Sequence, residues 1–187
     1  MRFCLKVVLA AILNLQMLNA CYAGSAEVLA SSAPVCVSLV LDRAAAIHAK
    51  DWPQVERLAE ESIRTCTNFM DTESLAGSYE SVSTASLEQN NFKKALSTSE
   101  ICISIYYALP ECHLRKVDAL IALRRFPEAK ATLDKVDRLI AYVTSTKKAE
   151  MITARTAGDR KLVASKLELL DAQKSLASAL RTEYFSK

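Results

Sequence analysis

Trp52-Pro53-Gln54-Val55, Phe92-Lys93-Lys94-Ala95 and Phe126-Pro127-Glu128-Ala129 are three copies of one short phrase, in which a small apolar residue follows an aromatic one by three positions. The second and third copies start 34 residues apart, and the first and second start 40 apart. Self-similarity at such a period is typical of repeat architectures, in which each unit is one supersecondary element. Pro53 and Pro127 directly follow the aromatic residue, and a helix tolerates proline at its start because its first N–H groups have no intrahelical partner. The phrase therefore predicts the start of a helix in each copy.

The bulk composition predicts an all-helical chain. Of the 187 residues, 51% are apolar and only 6% are aromatic, with three Gly and four Pro. Abundant Ala, Leu, Ser, Lys and Glu with few chain breakers favour helices over strands. The net charge is +3, and it falls to about +1 if Arg2 and Lys6 are removed with an export signal. Such a balanced chain is not expected to bind nucleic acid or anionic lipid.

The three copies resemble tetratricopeptide repeats, whose unit is a helix-turn-helix of about 34 residues. With the aromatic residue at position 17 and the small one at position 20, the repeats are Cys36–Phe69, Ala76–Leu109 and Pro110–Val143. The second copy also has residues that the family prefers in its first helix, from Tyr79 to Ala85. The resemblance implies an all-α, right-handed α-solenoid of about three helix hairpins within residues 35–143.

Beyond Val143 the phrase is lost, and we expect residues 144–187 to form a helical cap. Residues 147–156 favour a helix, Gly158-Asp159 a break or a cap, and Arg160–Tyr184 a long amphipathic helix. A solenoid requires a terminal element with one polar face to cover its last repeat, and this long helix suits that role. The alternative is that the same helix docks a partner or forms a homodimer.

Residues 1–23 have the pattern of an export signal. Arg2 and Lys6 are followed by an apolar core, Val7–Leu18, and then by small residues. That core is too short and too polar to stay in a membrane as a permanent anchor. The Ala- and Ser-rich residues 24–34 lack a periodic pattern, so we expect a flexible linker before the repeats.

Two cleavage positions compete. Cys21-Tyr22-Ala23 before Gly24 follows the small-x-small pattern of ordinary signal peptidase and predicts a periplasmic protein without an anchor. Leu18-Asn19-Ala20-Cys21 resembles a bacterial lipobox, in which Cys21 is lipidated and attaches a structural lipoprotein to the outer membrane. Both alternatives predict export to the bacterial periplasm, although a eukaryotic secretory protein could carry the same signal. The membrane is expected as a partner only through this lipid.

Cysteine spacing predicts two disulfides. Four cysteines remain after the signal, namely Cys36, Cys66, Cys102 and Cys112, and an even number in an oxidising compartment indicates pairing. Cys36 and Cys66 lie at the two ends of the first predicted hairpin, which are adjacent when its helices are antiparallel. Cys102 and Cys112 flank one short bend. We therefore predict Cys36–Cys66 and Cys102–Cys112 among the three pairings that are possible.

A thiol-active or metal-binding protein is the alternative use of these cysteines. The chain has no Cys-x-x-Cys, and its two histidines are His48 and His113. Adjacent residues such as Cys112 and His113 point about 100° apart on a helix and make poor joint ligands. We expect no metal and no cofactor. Catalytic motifs such as Gly-x-Ser-x-Gly and His-Glu-x-x-His are also missing, so we expect no enzymatic activity.

The functional surface that the resemblance implies is a concave groove lined by the first helix of each repeat. The groove positions are occupied by Val40, Ala44, Ile47, His48, Glu80, Thr84, Leu87, Glu88, Leu114, Asp118 and Ile121. This mixture of apolar and acidic side chains suits a peptide that carries apolar and basic ones. The alternative is that the C-terminal helix covers part of the groove. The predicted function is an adaptor or scaffold that binds another protein or peptide in the cell envelope.

Overall fold

The computed structural model describes residues 34–185, and this part of the chain is all-helical, without strands. The predicted all-α class is therefore confirmed, whereas the predicted signal, Cys21 and nearly all of the predicted linker lie outside the described residues. Seven α-helices follow one another, with a 3₁₀ turn at Thr67–Phe69 after the second. They are α1 (Pro34–Ala49), α2 (Trp52–Cys66), α3 (Thr72–Glu88), α4 (Phe92–Ile105), α5 (Pro110–Ala122), α6 (Phe126–Thr153) and α7 (Ala157–Phe185).

The three copies of the phrase follow three turns with the same backbone conformation. Lys50, Asn90 and Arg124 have φ angles of 57°, 60° and 61°. The N–H of the next residue bonds to a carbonyl five positions back, from Asp51 to Ala46, from Asn91 to Ser86 and from Arg125 to Leu120. This is the Schellman motif, which ends a helix with one left-handed residue. The hairpins α1–α2, α3–α4 and α5–α6 therefore turn alike, at the same spacing as the phrases.

The small residue of each phrase packs inside the molecule. Val55, Ala95 and Ala129 are each 0% exposed. Because protein interiors are closely packed, a position that is buried in every copy limits the size of the side chain there. The spacing of the phrase is thus explained by one packing position that recurs three times.

The residue before the aromatic one caps the second helix in two of the three hairpins. Asp51 and Asn91 each accept a hydrogen bond from the N–H three residues on. Such a side-chain cap satisfies one of the free N–H groups at a helix start. Arg125 occupies this position in the third hairpin and forms a bidentate pair with Glu128, in which both N–O distances are 2.6 Å.

Two compact units can be distinguished among the described residues, one of which contains residues 34–136 and the other residues 137–185. In the first unit, α3 packs against α2, α4 and α5, while α1 packs against α2. Arg43 on α1 donates a hydrogen bond to the Ser78 hydroxyl on α3 at 2.8 Å. This hydrogen bond links α1 to α3, whereas α3 and α5 pack together directly.

Both predicted disulfides are present in the first unit. Cys36–Cys66 joins the start of α1 to the end of α2, and Cys102–Cys112 joins α4 to α5. The Cα atoms are 5.8 Å apart in each pair, and all four residues are 0% exposed. The pairing follows from the antiparallel hairpin and from the short bend between α4 and α5.

The second unit contains the end of α6 and all of α7. Helix α6 runs without interruption through Val143, where the third repeat is predicted to end, and stops at Thr153. The side chains of Thr156 and Asp159 each accept a hydrogen bond from the other's backbone N–H, which is a reciprocal cap for α7. An ion pair between Arg181 and Asp137 joins the end of α7 to α6. None of the described helices is long and apolar enough to cross a membrane.

Candidate partner-binding face

The predicted groove residues occupy equivalent register positions on α1, α3 and α5, and we call this set the inner face. Counted back from the left-handed turn residues, Val40, Glu80 and Leu114 are equivalent to one another. So are Ala44, Thr84 and Asp118, and likewise Ile47, Leu87 and Ile121. Since α3 and α5 pack together, the part of the inner face on these two helices forms one continuous surface.

The inner face differs in exposure from one helix to the next. Val40 and Leu114 are buried, with 7% and 1% of their surface exposed, and therefore contribute to the core. Ile47 packs against the core cluster of the first hairpin. His48 and Glu88 are exposed, and the remaining members are half-buried, namely Ala44, Glu80, Thr84, Leu87, Asp118 and Ile121. Most of the polar surface thus lies on α3 and α5.

A guanidinium surrounded by carboxylates occupies the centre of this α3–α5 surface. Arg115 Nε lies 3.4 Å from Glu80, and Arg115 Nη1 lies 3.1 Å from Asp118. Thr84 donates a hydrogen bond to Glu80 at 2.8 Å and so fixes that carboxylate. Glu88 and Glu111 also act electrostatically on Arg115. We call Glu80, Glu88, Glu111, Arg115 and Asp118 the Arg115 cluster.

The charges of the cluster perturb one another because the site is partly shielded from water. Burial alone would lower the pKa of Arg115, but Asp118, Glu80 and the two other carboxylates raise it overall. Burial raises the pKa of Asp118, an effect that Glu88 reinforces and Arg115 opposes. Side-chain exposures of 25% for Arg115 and 27% for Asp118 agree with this shielding. Electrostatic interactions are stronger here than between fully solvated groups.

The Arg115 cluster therefore has an excess of negative charge. One guanidinium cannot neutralise the three carboxylates of Glu80, Glu88 and Asp118. Half-buried Leu87 and Ile121 on the same face add apolar surface. This combination can hold a cationic side chain next to an apolar one. Among residues 34–185, no group of three or more Asp, Glu, His or Cys side chains is arranged to hold a metal ion.

The cysteines and His113 have partners within the protein that are typical of structural residues. The four cysteines in the described part of the chain are all in disulfides, so this part offers no thiol. His113 is 2% exposed, and its Nε2 donates to the carbonyl of Tyr107 at 2.9 Å. The ring of Tyr107 meets the imidazole edge-on, with centroids 4.9 Å apart. Burial lowers the pKa of His113, and Lys116 and Lys135 contribute in the same direction.

Two members of the cluster, Glu111 and Arg115, are outside the predicted groove set. Arg115 precedes Asp118 by three residues, and residues at this spacing are neighbours on a helix. That signal is visible in the sequence. The approach of Glu80 from α3 is not, because it depends on how closely two helices pack.

Comparisons with known proteins do not assign a function. No protein-family model matches the chain, and no match was found among curated proteins or among solved structures. Function has to be inferred from the three equivalent turns and from the surfaces that the hairpins present.

Proposed function

We propose that this chain is a non-enzymatic adaptor of the bacterial cell envelope that binds a protein or peptide partner on its inner face. The observation that carries the proposal is the Arg115 cluster, where an excess of carboxylates lies beside apolar Leu87 and Ile121 on two packed helices. The proposed partner segment has a Lys or Arg side chain that meets these carboxylates, and apolar side chains that cover the two hydrophobic residues.

The proposed architecture is a tetratricopeptide-type α-solenoid. It is supported by three turns with the same left-handed residue, the same hydrogen bonds and the same buried small residue. Stacked hairpins of this kind present the first helices of successive repeats side by side, which creates an extended binding surface. The two disulfides favour binding, because a preorganised surface loses less conformational freedom when the partner docks.

Site-specific photo-crosslinking in native envelopes tests the proposal. A photo-reactive amino acid replaces Thr84 on the inner face, and in a matched protein it replaces exposed Ser145 on the second unit. We expect a partner adduct from position 84 that is missing from position 145. The Glu88→Lys/Asp118→Lys variant should abolish the adduct, whereas Glu168→Lys/Asp171→Lys, which makes the same charge change at two exposed positions of α7, should retain it.

A binding titration with defined peptides tests the chemistry of the partner. A soluble Lys- and Leu-rich peptide should bind the wild-type chain more tightly than a Glu- and Leu-rich peptide, and added salt should weaken its binding. We expect Glu88→Lys/Asp118→Lys to weaken it at least about tenfold, since each reversal places a like charge against the peptide. Equal binding of the two peptides, or equal binding by wild type and variant, would contradict the proposal.

The envelope location is also part of the proposal. Disulfides are typical of oxidising compartments, which favours export. Mass spectrometry of the mature N-terminus distinguishes its two forms, since cleavage before Gly24 leaves an unmodified start and lipidation leaves a diacylated Cys21. A retained Met1 would contradict export.

A further inference from the structure

The two junctions between successive hairpins carry different side chains at positions that are equivalent in the helical register. We call the contact of α1–α2 with α3–α4 the first junction, and that of α3–α4 with α5–α6 the second junction. In the first junction, Lys94 Nζ lies 2.5 Å from Glu56 and 2.6 Å from Glu60. The Gln89 amide also donates to Glu56. An ionic bridge thus spans this junction.

The residues at the equivalent positions of the second junction cannot form this bridge. Counted from the left-handed residue of each hairpin, the equivalent pairs are Glu56 and Leu96, Glu60 and Glu100, Gln89 and Leu123, and Lys94 and Glu128. The bridging cation is thus replaced by an anion, Glu128, which would face a second anion, Glu100. Two like charges repel, and each of these carboxylates pairs elsewhere, Glu128 with Arg125 and Glu100 with Lys116.

A recess is present where the bridge is missing. Its volume is about 390 Å³, within the range of small-molecule and side-chain pockets, and it is open to solvent. It is lined by Lys93, Leu96, Ser97, Glu100, Leu123 and Arg125. Leu96 and Leu123 make its wall apolar at the positions where the first junction has Glu56 and Gln89.

We propose that this recess is a second docking site, which receives an apolar side chain of a partner protein with a carboxylate beside it. The apolar side chain would pack mainly on half-buried Leu123 and on the small part of Leu96 that is still exposed, and burial of this remaining apolar surface is favourable. The carboxylate would pair with Lys93. Glu100, which lines the recess, already pairs with Lys116, and Arg125 pairs with Glu128. Within residues 34–185, Lys93 has no ion-pair partner. The charge left to be neutralised at the rim is therefore positive.

This chemistry is opposite to that of the inner face. The Arg115 cluster has unneutralised carboxylates and favours a basic segment, whereas the recess has an unneutralised ammonium group and favours an acidic one. The two surfaces therefore select different partner segments. The recess would provide an adaptor with a second binding site, and its occupation does not depend on whether the inner face binds anything.

A variant that fills the recess can be copied from the first junction. Leu123→Gln/Glu128→Lys places the equivalents of Gln89 and Lys94 near Glu100, at helix positions that hold these residue types one hairpin earlier. Circular dichroism and thermal unfolding verify that the fold is retained. The probe is a random peptide library displayed on phage, selected on the disulfide-bonded chain and counter-selected on the filled variant.

We expect the selection to enrich peptides in which a large apolar residue adjoins Asp or Glu. A representative synthetic peptide should bind the filled variant at least about tenfold more weakly than the wild type, a loss of about 1.4 kcal/mol. Glu168→Lys, which adds the same charge on α7, should bind it like the wild type. In methyl NMR spectra, the signals of Leu96 and Leu123 should shift on titration.

Three outcomes would overturn the inference. In the first, the selection enriches no peptide that prefers the wild type to the filled variant. In the second, it enriches basic peptides. In the third, the NMR shifts are confined to Leu87, Leu114 and Ile121. The Glu88→Lys/Asp118→Lys variant separates this inference from the proposed adaptor function. This variant should still bind the acidic peptide. Binding at the recess and binding at the inner face can therefore be confirmed or contradicted independently of each other.

Discussion

The two disulfides have equal Cα separations and equal burial but differ in what they connect. Cys36–Cys66 closes one hairpin, α1–α2, over a sequence separation of 30. Cys102–Cys112 has a separation of only 10 and joins the end of one hairpin to the start of the next. The first bridge therefore acts within a repeat, and the second acts between repeats.

The surroundings of the two bridges differ in the same way. The first belongs to a core cluster that also contains Leu39, Val55 and Leu58. The second has only Ala76 as a buried apolar partner, and the side chains around it, such as Tyr79 and Leu109, are only partly buried. The first hairpin is thus held by packing as well as by its disulfide. The second disulfide joins the end of α4 to the start of α5, beside the α3–α5 surface that forms the Arg115 cluster, while Leu114, Val117 and Leu120 pack α5 into the core.

Removing the first bridge should have the largest effect on stability. On the chain-entropy estimate, closing a loop of this length stabilises a protein by roughly 3.5 kcal/mol, so Cys36→Ala/Cys66→Ala should lose about that amount of unfolding free energy. Urea unfolding followed by circular dichroism measures it. Binding of the Lys- and Leu-rich peptide at 10 °C, where the variant is still folded, should change little. A large loss of this binding would contradict the division of roles.

Removing the second bridge should cost less stability but more binding. The shorter loop predicts about 2.5 kcal/mol for Cys102→Ala/Cys112→Ala. Because α5 is then free to shift against α3, Arg115 and Asp118 lose their fixed distance from Glu80, and peptide affinity at the inner face should fall several-fold. The comparison between the two double variants is internally controlled, since each removes two buried sulfurs. Equal effects on binding would show that the bend does not control the inner face.

The disulfides and turns could be predicted from the sequence because each depends on local geometry. Cys36 and Cys66 follow from the rule that the ends of an antiparallel hairpin are adjacent. The starts of α2, α4 and α6 follow from an aromatic residue at a helix start and a small residue one turn later. Neither prediction requires knowledge of how different hairpins pack.

Features that depend on packing between hairpins could not be predicted in this way. Val40 and Leu114 have groove positions in the register but are buried, because burial depends on what lies against them. The recess becomes apparent only when the structure shows that Lys94 bridges to Glu56 in the first junction and that Leu96 takes the place of Glu56 in the second. The repeat register places the end of the third repeat at Val143, but neither Gly nor Pro interrupts the chain there, and α6 continues to Thr153.

His113 makes the bend sensitive to pH, and the expected effect is smaller than that of either disulfide. Burial lowers the pKa of His113 below the ordinary value of 6.5 that it regains on unfolding. The neutral imidazole is thus favoured in the folded state, and its contribution to stability is complete above pH 6.5 and is lost as pH falls below that value. Unfolding free energy should therefore decline between pH 7.5 and pH 5.5.

The control for this prediction is His113→Leu, which introduces the residue found at the equivalent position of the first hairpin, Leu39. It should be less stable at pH 7.5, because the hydrogen bond to the Tyr107 carbonyl is lost. Its stability should vary less with pH over the same interval, since no imidazole titrates. If the unfolding free energy of His113→Leu declined with pH as much as that of the wild type, the decline would be due to groups other than His113.

The smallest effect should come from the turn of the first hairpin, where the left-handed conformation is imposed on a lysine. Lys50 has a φ of 57°, and a side chain with a Cβ is disfavoured there by about 1–2 kcal/mol. Glycine avoids that penalty but gains more freedom in the unfolded chain, so Lys50→Gly should stabilise the protein by less than about 1 kcal/mol. Asn90→Gly is the matched control, because asparagine adopts this conformation more readily, and its gain should be smaller still. If Asn90→Gly stabilised the protein as much as Lys50→Gly, the difference in backbone strain between lysine and asparagine could not explain the gain.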